Sequence, residues 1–241
     1  DGNDLVAQSA INDPHHYRGP DTGYRVEGRR WDEIQDVPWA TDPATLGRVD
    51  AGEELLVEAG PATTGTSTEV VVALGPAFGR ALGRTLGELG HREVIDAMLA
   101  GIADEGVAAR LVRVRDTADC AFIGHEAARM SGSGVAIGIQ SRGTAVIHQR
   151  DLAPLDNLEL LSHAPNLTLD SYRSLGRNAA RYALGKPVEP VPVHIDNMAR
   201  LKFIVQSTLW HRVEVDAVEA GSPPVEVALR PAAEKPGGGG A

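Results

Sequence analysis

Eight histidines, a single cysteine and a few glycine-flanked polar turns are the residues of this chain best suited to chemistry. A metal centre needs His, Cys, Asp or Glu at short regular intervals, so that several side chains reach one point. His15 and His16 are adjacent, and His91, His125, His148, His163, His194 and His211 are scattered without ligand spacing. Cys120, being alone, excludes an intramolecular disulfide and a multi-cysteine zinc or iron–sulfur site within this chain. No metal ligand set and no catalytic residue is therefore assigned here. Gly132-Ser133-Gly134 lacks the outer spacing of a nucleophile elbow and the third glycine of a dinucleotide loop, and no Gly-x-x-x-x-Gly-Lys phosphate loop occurs. It reads as a turn between a helix and a strand. Gln140-Ser141-Arg142-Gly143 is different, because it lies between two apolar runs and must present polar side chains at one end of a sheet.

The elements that would position that turn are legible. Val70-Val71-Val72-Ala73-Leu74, ended by Gly75-Pro76, is a continuous apolar run typical of a strand covered on both faces. Val94, Ile95, Met98, Leu99 and Ile102 recur at helical spacing, and Gly106 stops that helix before residues 107–115 resume a strand, with Val112 and Val114 alternating against Arg113 and Arg115. This is a β-α-β unit with an expected right-handed parallel crossover. A helix is predicted over 118–130, then strands at 135–139 and 144–148. Residues 168–184 form a further predicted helix, closed by Gly185 and Pro187, and a last amphipathic stretch covers 199–210.

The totals agree with one α/β domain plus appendages: 241 residues, 42% hydrophobic. A formal net charge of -10, from Asp+Glu 33 against Lys+Arg 23, repels phosphate backbones and argues against nucleic acid as a partner. No apolar run is long enough to span a membrane and no signal peptide is visible, so a cytoplasmic setting is expected. Residues 1–57 read as an extended arm, rich in Gly and Pro and carrying Trp31 and Trp39, residues 58–68 as a linker, 69–230 as the domain, and 231–241 as a flexible tail.

Beyond these patterns, Gly75-Pro76-Ala77-Phe78 and the block from Ser131 to Gln149 strongly resemble the medium subunit of diol and glycerol dehydratases. Leu155-Asp156-Asn157-Leu158-Glu159-Leu160, Leu167-Thr168-Leu169 with Tyr172-Arg173, residues 176–183 and Asp196-Asn197-Met198-Ala199-Arg200 follow in the family's order. Ser9-Ala10-Ile11-Asn12-Asp13, Tyr17-Arg18-Gly19-Pro20, Thr22-Gly23-Tyr24-Arg25 and Arg30-Trp31-Asp32-Glu33-Ile34 resemble the C-terminal tail of the large subunit of the same enzyme, so the chain is expected to be the C-terminal part of a large–medium fusion.

The resemblance implies a three-layer α/β/α domain with a mostly parallel, Rossmann-like sheet of the anticodon-binding-domain kind, an extended N-terminal arm and a C-terminal helical extension. It implies an adenosylcobalamin-dependent enzyme that turns a vicinal diol, propane-1,2-diol or glycerol, into an aldehyde and water, with the radical chemistry supplied by the cofactor. The substrate barrel belongs to the large subunit, so this chain alone is expected to be inactive. Expected partners are the large and small subunits, in a dimer of heterotrimers, and a reactivating chaperone; enclosure in a bacterial microcompartment is compatible with this reading. Carried over by position, cobalamin contacts fall at Asp119, Arg142, Thr144, Leu155, Asn157, Arg200 and Ser207. Arg142 stands where the family commonly has lysine, which keeps the charge and changes the contact geometry. Without the resemblance, Asp119 reads equally well as a helix cap and Asn157 as a turn residue.

Asp13-Pro14-His15-His16-Tyr17-Arg18-Gly19 approaches the Asp-x-His-x-x-Gly pattern in which histidine replaces the lower base of cobalamin, but Arg18 occupies the glycine position. The cofactor is therefore expected to keep its own benzimidazole on cobalt. The main rival reading is the small subunit of the dehydratase-reactivating chaperone, which shares the core fold; residues 155–200 have no counterpart expected there.

Overall fold

In the computed structural model, residues 54–66, 68–192 and 203–231 are described. They form a seven-stranded sheet between two layers of helices, in the order β1-β7-β3-β2-β4-β5-β6. The strands are β1 (Leu56–Pro61), β2 (Glu69–Leu74), β3 (Ala108–Arg113), β4 (Val135–Ile139), β5 (Ala145–Gln149), β6 (Glu159–Leu161) and β7 (Val225–Leu229). The helices are α1 (His91–Asp104), α2 (Cys120–Met130), α3 (Leu169–Ala183) and α4 (Ile204–Asp216). The predicted α/β class and its three layers are thus observed.

The sheet is mixed rather than mostly parallel. β2 pairs in parallel with β3 and β4, whereas β1–β7, β3–β7, β4–β5 and β5–β6 are antiparallel. The reason is connection length: the tight turn after β4 can only return the chain antiparallel, while β2 to β3 is spanned by a crossover helix. β1 is a second correction. Residues 58–61 have linker composition, yet they continue a strand that pairs with β7 through a bulge between Glu58 and Gly60. Residues 1–53 of the expected arm and 232–241 of the expected tail lie outside the described residues.

Every residue of β2 is buried, because each face of the strand meets a different helical layer. Val70, Val72 and Leu74 join α1 and α3 through Val94, Ile95, Met98, Tyr172 and Leu175. Val71 and Ala73 face α2 through Ile123, Ala127 and Ala128. Where α1 crosses α3 the backbones touch: a Cβ on Gly101 would lie 1.9 Å from the carbonyl oxygen of Arg173, and one on Gly176 would lie 2.2 Å from that of Met98. Only glycine allows so close an approach.

Candidate functional site

The parallel strands β2, β3 and β4 all end on one side of the sheet, since Leu74 is paired with both Arg113 and Ile139. In open α/β sheets this carboxyl end is where ligands are held. Here it carries residues 75–79, the turn 140–143 between β4 and β5, and the N-terminus of α2.

The turn is fixed through its main chain. Gly143 N–H donates to the carbonyl of Gln140 at 2.9 Å, and Gln140 N–H donates to that of Thr144 at 3.0 Å. The Ser141 N–H donates to Glu214 Oε2 at 2.9 Å, and the Leu86 N–H donates to the Arg142 carbonyl at 3.0 Å. Tyr172 donates its hydroxyl to the Gly143 carbonyl at 2.7 Å. Gly143 has φ 99, and a Cβ there would sit 2.6 Å from the Tyr172 oxygen, so glycine is required. With the main chain held at so many points, the side chain of Arg142 is what the turn offers to solvent.

Two buried polar residues brace the neighbouring loop 75–79, and one of them, His91, ties it to this turn. His91, the first residue of α1, accepts from Gly79 N–H through Nδ1 at 2.9 Å, which leaves Nε2–H to donate to the Ser141 carbonyl at 2.8 Å. Its ring stacks on Phe78 with centroids 3.7 Å apart. Burial pushes its pKa down to about 4, consistent with a neutral ring that both accepts and donates. Arg113, 2% exposed, donates Nη1 to the carbonyls of Gly75, Pro76 and Phe78 at 3.2, 3.1 and 3.0 Å. The alternation of Val112 and Val114 predicts an outward Arg113; instead it turns along the strand end and caps these carbonyls.

A cavity of about 350 Å³ opens beside the turn, between Arg142 and Thr144, the segment Ser162–Asn166, and the first turns of α4 with Phe203, Ile204, Ser207 and Thr208. Arg142 is braced on neutral partners only: Nε donates to Gln140 Oε1 at 2.9 Å and Nη1 to Ser207 Oγ at 3.4 Å. Gln140 in turn donates to the carbonyl of Ala118. Among the described residues no carboxylate forms an ion pair with Arg142. A cation set in a cavity on neutral braces is suited to an anionic oxygen of a ligand. His211, one turn of α4 beyond Ser207, has its pKa lowered by burial and then by the charge of Arg142.

Three of the sequence-predicted contacts, Arg142, Thr144 and Ser207, therefore line one cavity. Asp119 lies at the same end of the sheet as the N-cap of α2, where Oδ1 accepts from the N–H groups of Ala121 at 2.8 Å and Phe122 at 3.3 Å. Leu155 and Asn157 are elsewhere. They lie on the connection from β5 to β6, beyond Gln149, which pairs with Val135 at the opposite end of β4. Five residues of strand separate the two sites, roughly 15 Å. Leu155 is 70% exposed. Arg200 lies outside the described residues. Sequence reasoning did not single out His91, Arg113 or Glu214; their signal is polarity inside otherwise apolar elements. No group of three or more His, Cys, Asp or Glu side chains among the described residues is arranged to hold a metal ion, and no helix among them is long and apolar enough to cross a membrane.

The fold and site define an α/β domain whose cavity sits at the carboxyl ends of the central strands. Comparison with known proteins narrows this. Residues 75–189 match the dehydratase medium subunit family and residues 2–45 match the dehydratase large subunit family. The first of these stretches is thus similar to the medium subunit family and the second to the large subunit family, in an order that fits a fusion of the two. The glycerol dehydratase large subunit of Citrobacter freundii is 42% identical over 38 residues, which is 16% of this chain and 7% of that protein. The chain thus spans only a small part of that relative's length. Among solved structures, a glycerol dehydratase reactivase is similar at 22% identity and a TM-score of 0.44, covering 51% of this chain and 97% of its own. A diol dehydratase-reactivating factor complexed with ADP and Mg2+ is similar at 25% identity and a TM-score of 0.39, covering 53% and 100%.

Proposed function

We propose that this chain is the cobalamin-embracing medium subunit of an adenosylcobalamin-dependent diol or glycerol dehydratase, and that it acts with large and small subunits to convert a vicinal diol to an aldehyde and water. The observation that carries the reading is the medium-subunit match over 75–189 together with Arg142, inside that match, standing in a cavity with no ion-paired carboxylate among the described residues. The fit to the cofactor is chemical. A cobalamin has one anionic group, its nucleotide phosphate, flanked by ribose hydroxyls, and a rim of amides. Arg142 suits the phosphate, while Thr144, Ser207 and Thr208 offer neutral donors and acceptors around it.

A cavity of about 350 Å³ has room for the nucleotide end of such a ligand and not for the corrin. The corrin would then lie outside, across the sheet edge toward Leu155 and Asn157, which accounts for contacts on both sides of a roughly 15 Å gap. Asp119 and Arg200 complete the proposed set. When bound, adenosylcobalamin supplies the radical chemistry. The residues of this chain bind the nucleotide, orient it through the fixed 140–143 turn, and exclude water from it.

The test is to coexpress the chain with its large and small subunits, purify the assembly, and measure aldehyde formed from propane-1,2-diol and glycerol. Cofactor-dependent aldehyde is expected. A well-formed assembly that yields none would overturn the dehydratase reading and shift weight to the reactivating chaperone.

A further inference from the structure

Glu214 lies in the last turn of α4 and is 2% exposed. Burying a carboxylate is costly unless its oxygens are satisfied, and among the described residues no ion pair does so. Its two oxygens are shared between two loops. Oε1 accepts from the Ala77 N–H at 3.2 Å, just after β2, and Oε2 accepts from the Ser141 N–H at 2.9 Å, just after β4. A Cβ at Gly75 would lie 2.2 Å from Oε1, so the strand ends in glycine where the carboxylate passes. Burial raises the pKa of Glu214, opposed by the hydrogen bonds from Ser141 and Ala77 and by the nearby charge of Arg113.

The same helix builds one wall of the cavity. Ser207, Trp210 and Glu214 follow the spacing of a single helix face. Ser207 meets the guanidinium of Arg142, Trp210 is fully buried against Leu82, Leu86 and Ala164, and Glu214 holds the main chain one residue before Arg142. α4 therefore grips the β4–β5 turn twice, once at the side chain of Arg142 and once at the peptide that precedes it.

We propose that Glu214 is a positioning residue: its carboxylate clamps α4 to the loops after β2 and β4, and through that clamp holds Arg142 where it meets the anionic group of the ligand. The identity of the ligand rests on the cobalamin reading above; the clamp itself does not.

Glu214→Gln preserves size but replaces one acceptor with an NH2 group that faces an N–H. Trp210→Phe is the control, because it trims the packing of α4 beside the clamp while both clamp hydrogen bonds stay in place. In the full chain, hydrogen exchange at the Ala77 and Ser141 amides and at the Arg142 Nε–H should accelerate at least tenfold in Glu214→Gln and stay near wild type in Trp210→Phe. In the assembled enzyme, hydroxocobalamin affinity should fall about tenfold in Glu214→Gln. Combined with Arg142→Ala, the same change should cost nothing further, since both act through one contact. Unchanged exchange at these three groups, or fully additive losses of affinity, would overturn the proposal. If the wild-type assembly binds no hydroxocobalamin, the cobalamin reading fails, and the exchange measurement still decides the clamp.

Discussion

The two ends of the central strands solve the same problem, buried charge, in opposite ways. At the amino end, charges meet charges: Arg110 donates to Glu69 at 2.9 Å and to Glu226 at 2.8 Å, linking β3 to β2 and β7. At the carboxyl end the partly exposed Arg115 also pairs with Glu219, but the fully buried polar side chains meet the main chain: Arg113 caps three carbonyls, Glu214 accepts from two N–H groups, and His91 bridges an N–H and a carbonyl. An ion pair fixes strand register but uses up both partners. Side chains spent on peptide groups fix the loops instead, and among the described residues no carboxylate pairs with Arg142 in the cavity. The amino end is built for cohesion, the carboxyl end for presenting a cation.

This contrast can be broken most severely at Arg113. Arg113→Leu takes the guanidinium from three buried carbonyls, of which that of Gly75 still accepts from the Phe78 N–H, and about 3–5 kcal/mol of stability should be lost in urea unfolding; a loss under about 1 kcal/mol would mean that water replaces the guanidinium. His91 gives the next largest effect. Its folded pKa, about 4, is below the unfolded value of 6.5, so the unfolded state binds more protons between them. Stability should therefore fall as pH drops from 6.5 toward 4, by about 3 kcal/mol in all. His91→Gln should flatten that slope, and an unchanged slope would assign it to other groups. At the amino end, Arg110→Met should cost about 1–2 kcal/mol, a modest loss because the pairs are partly exposed and water reaches the carboxylates left behind. Smallest for folding is Arg142→Ala. Its unfolding free energy should change by under about 0.5 kcal/mol, while cobalamin affinity in the assembled enzyme falls about tenfold. Equal affinity would remove Arg142 from the site.

The centre of the fold was legible in the sequence, and its edges were not. β2, β4 and β5 are apolar runs, and α1, α2 and α3 are periodic and closed by Gly or capped by Asp119 and Thr168, so local patterning suffices. β1, β6 and β7 were missed. β1 carries Gly60 and Pro61 and exists because β7 pairs with it, β6 is three residues long, and β7 follows two prolines; each depends on a partner strand rather than on its own residues. α4 runs past Trp210 to Asp216 because Glu214, polar by type, is buried by its loops. At the site, motif resemblance reached the side chains that face the cavity. It did not reach His91, Arg113 and Glu214, whose role is to hold peptide groups and leaves no spacing signature.

The glycine crossing of α1 and α3 has a consequence for how such a sequence can drift. Each helix fills the space where the other would need a Cβ, so a substitution at Gly101 meets backbone, and so does one at Gly176. Neither change prepares the ground for the other. The surface pairs beside the crossing, Arg173 and Arg177 with Asp104, can be exchanged one at a time. Variation among descendants of this chain should accumulate on that rim and halt at the two glycines, making the crossing a fixed point around which the rest of the helical layer is rewritten.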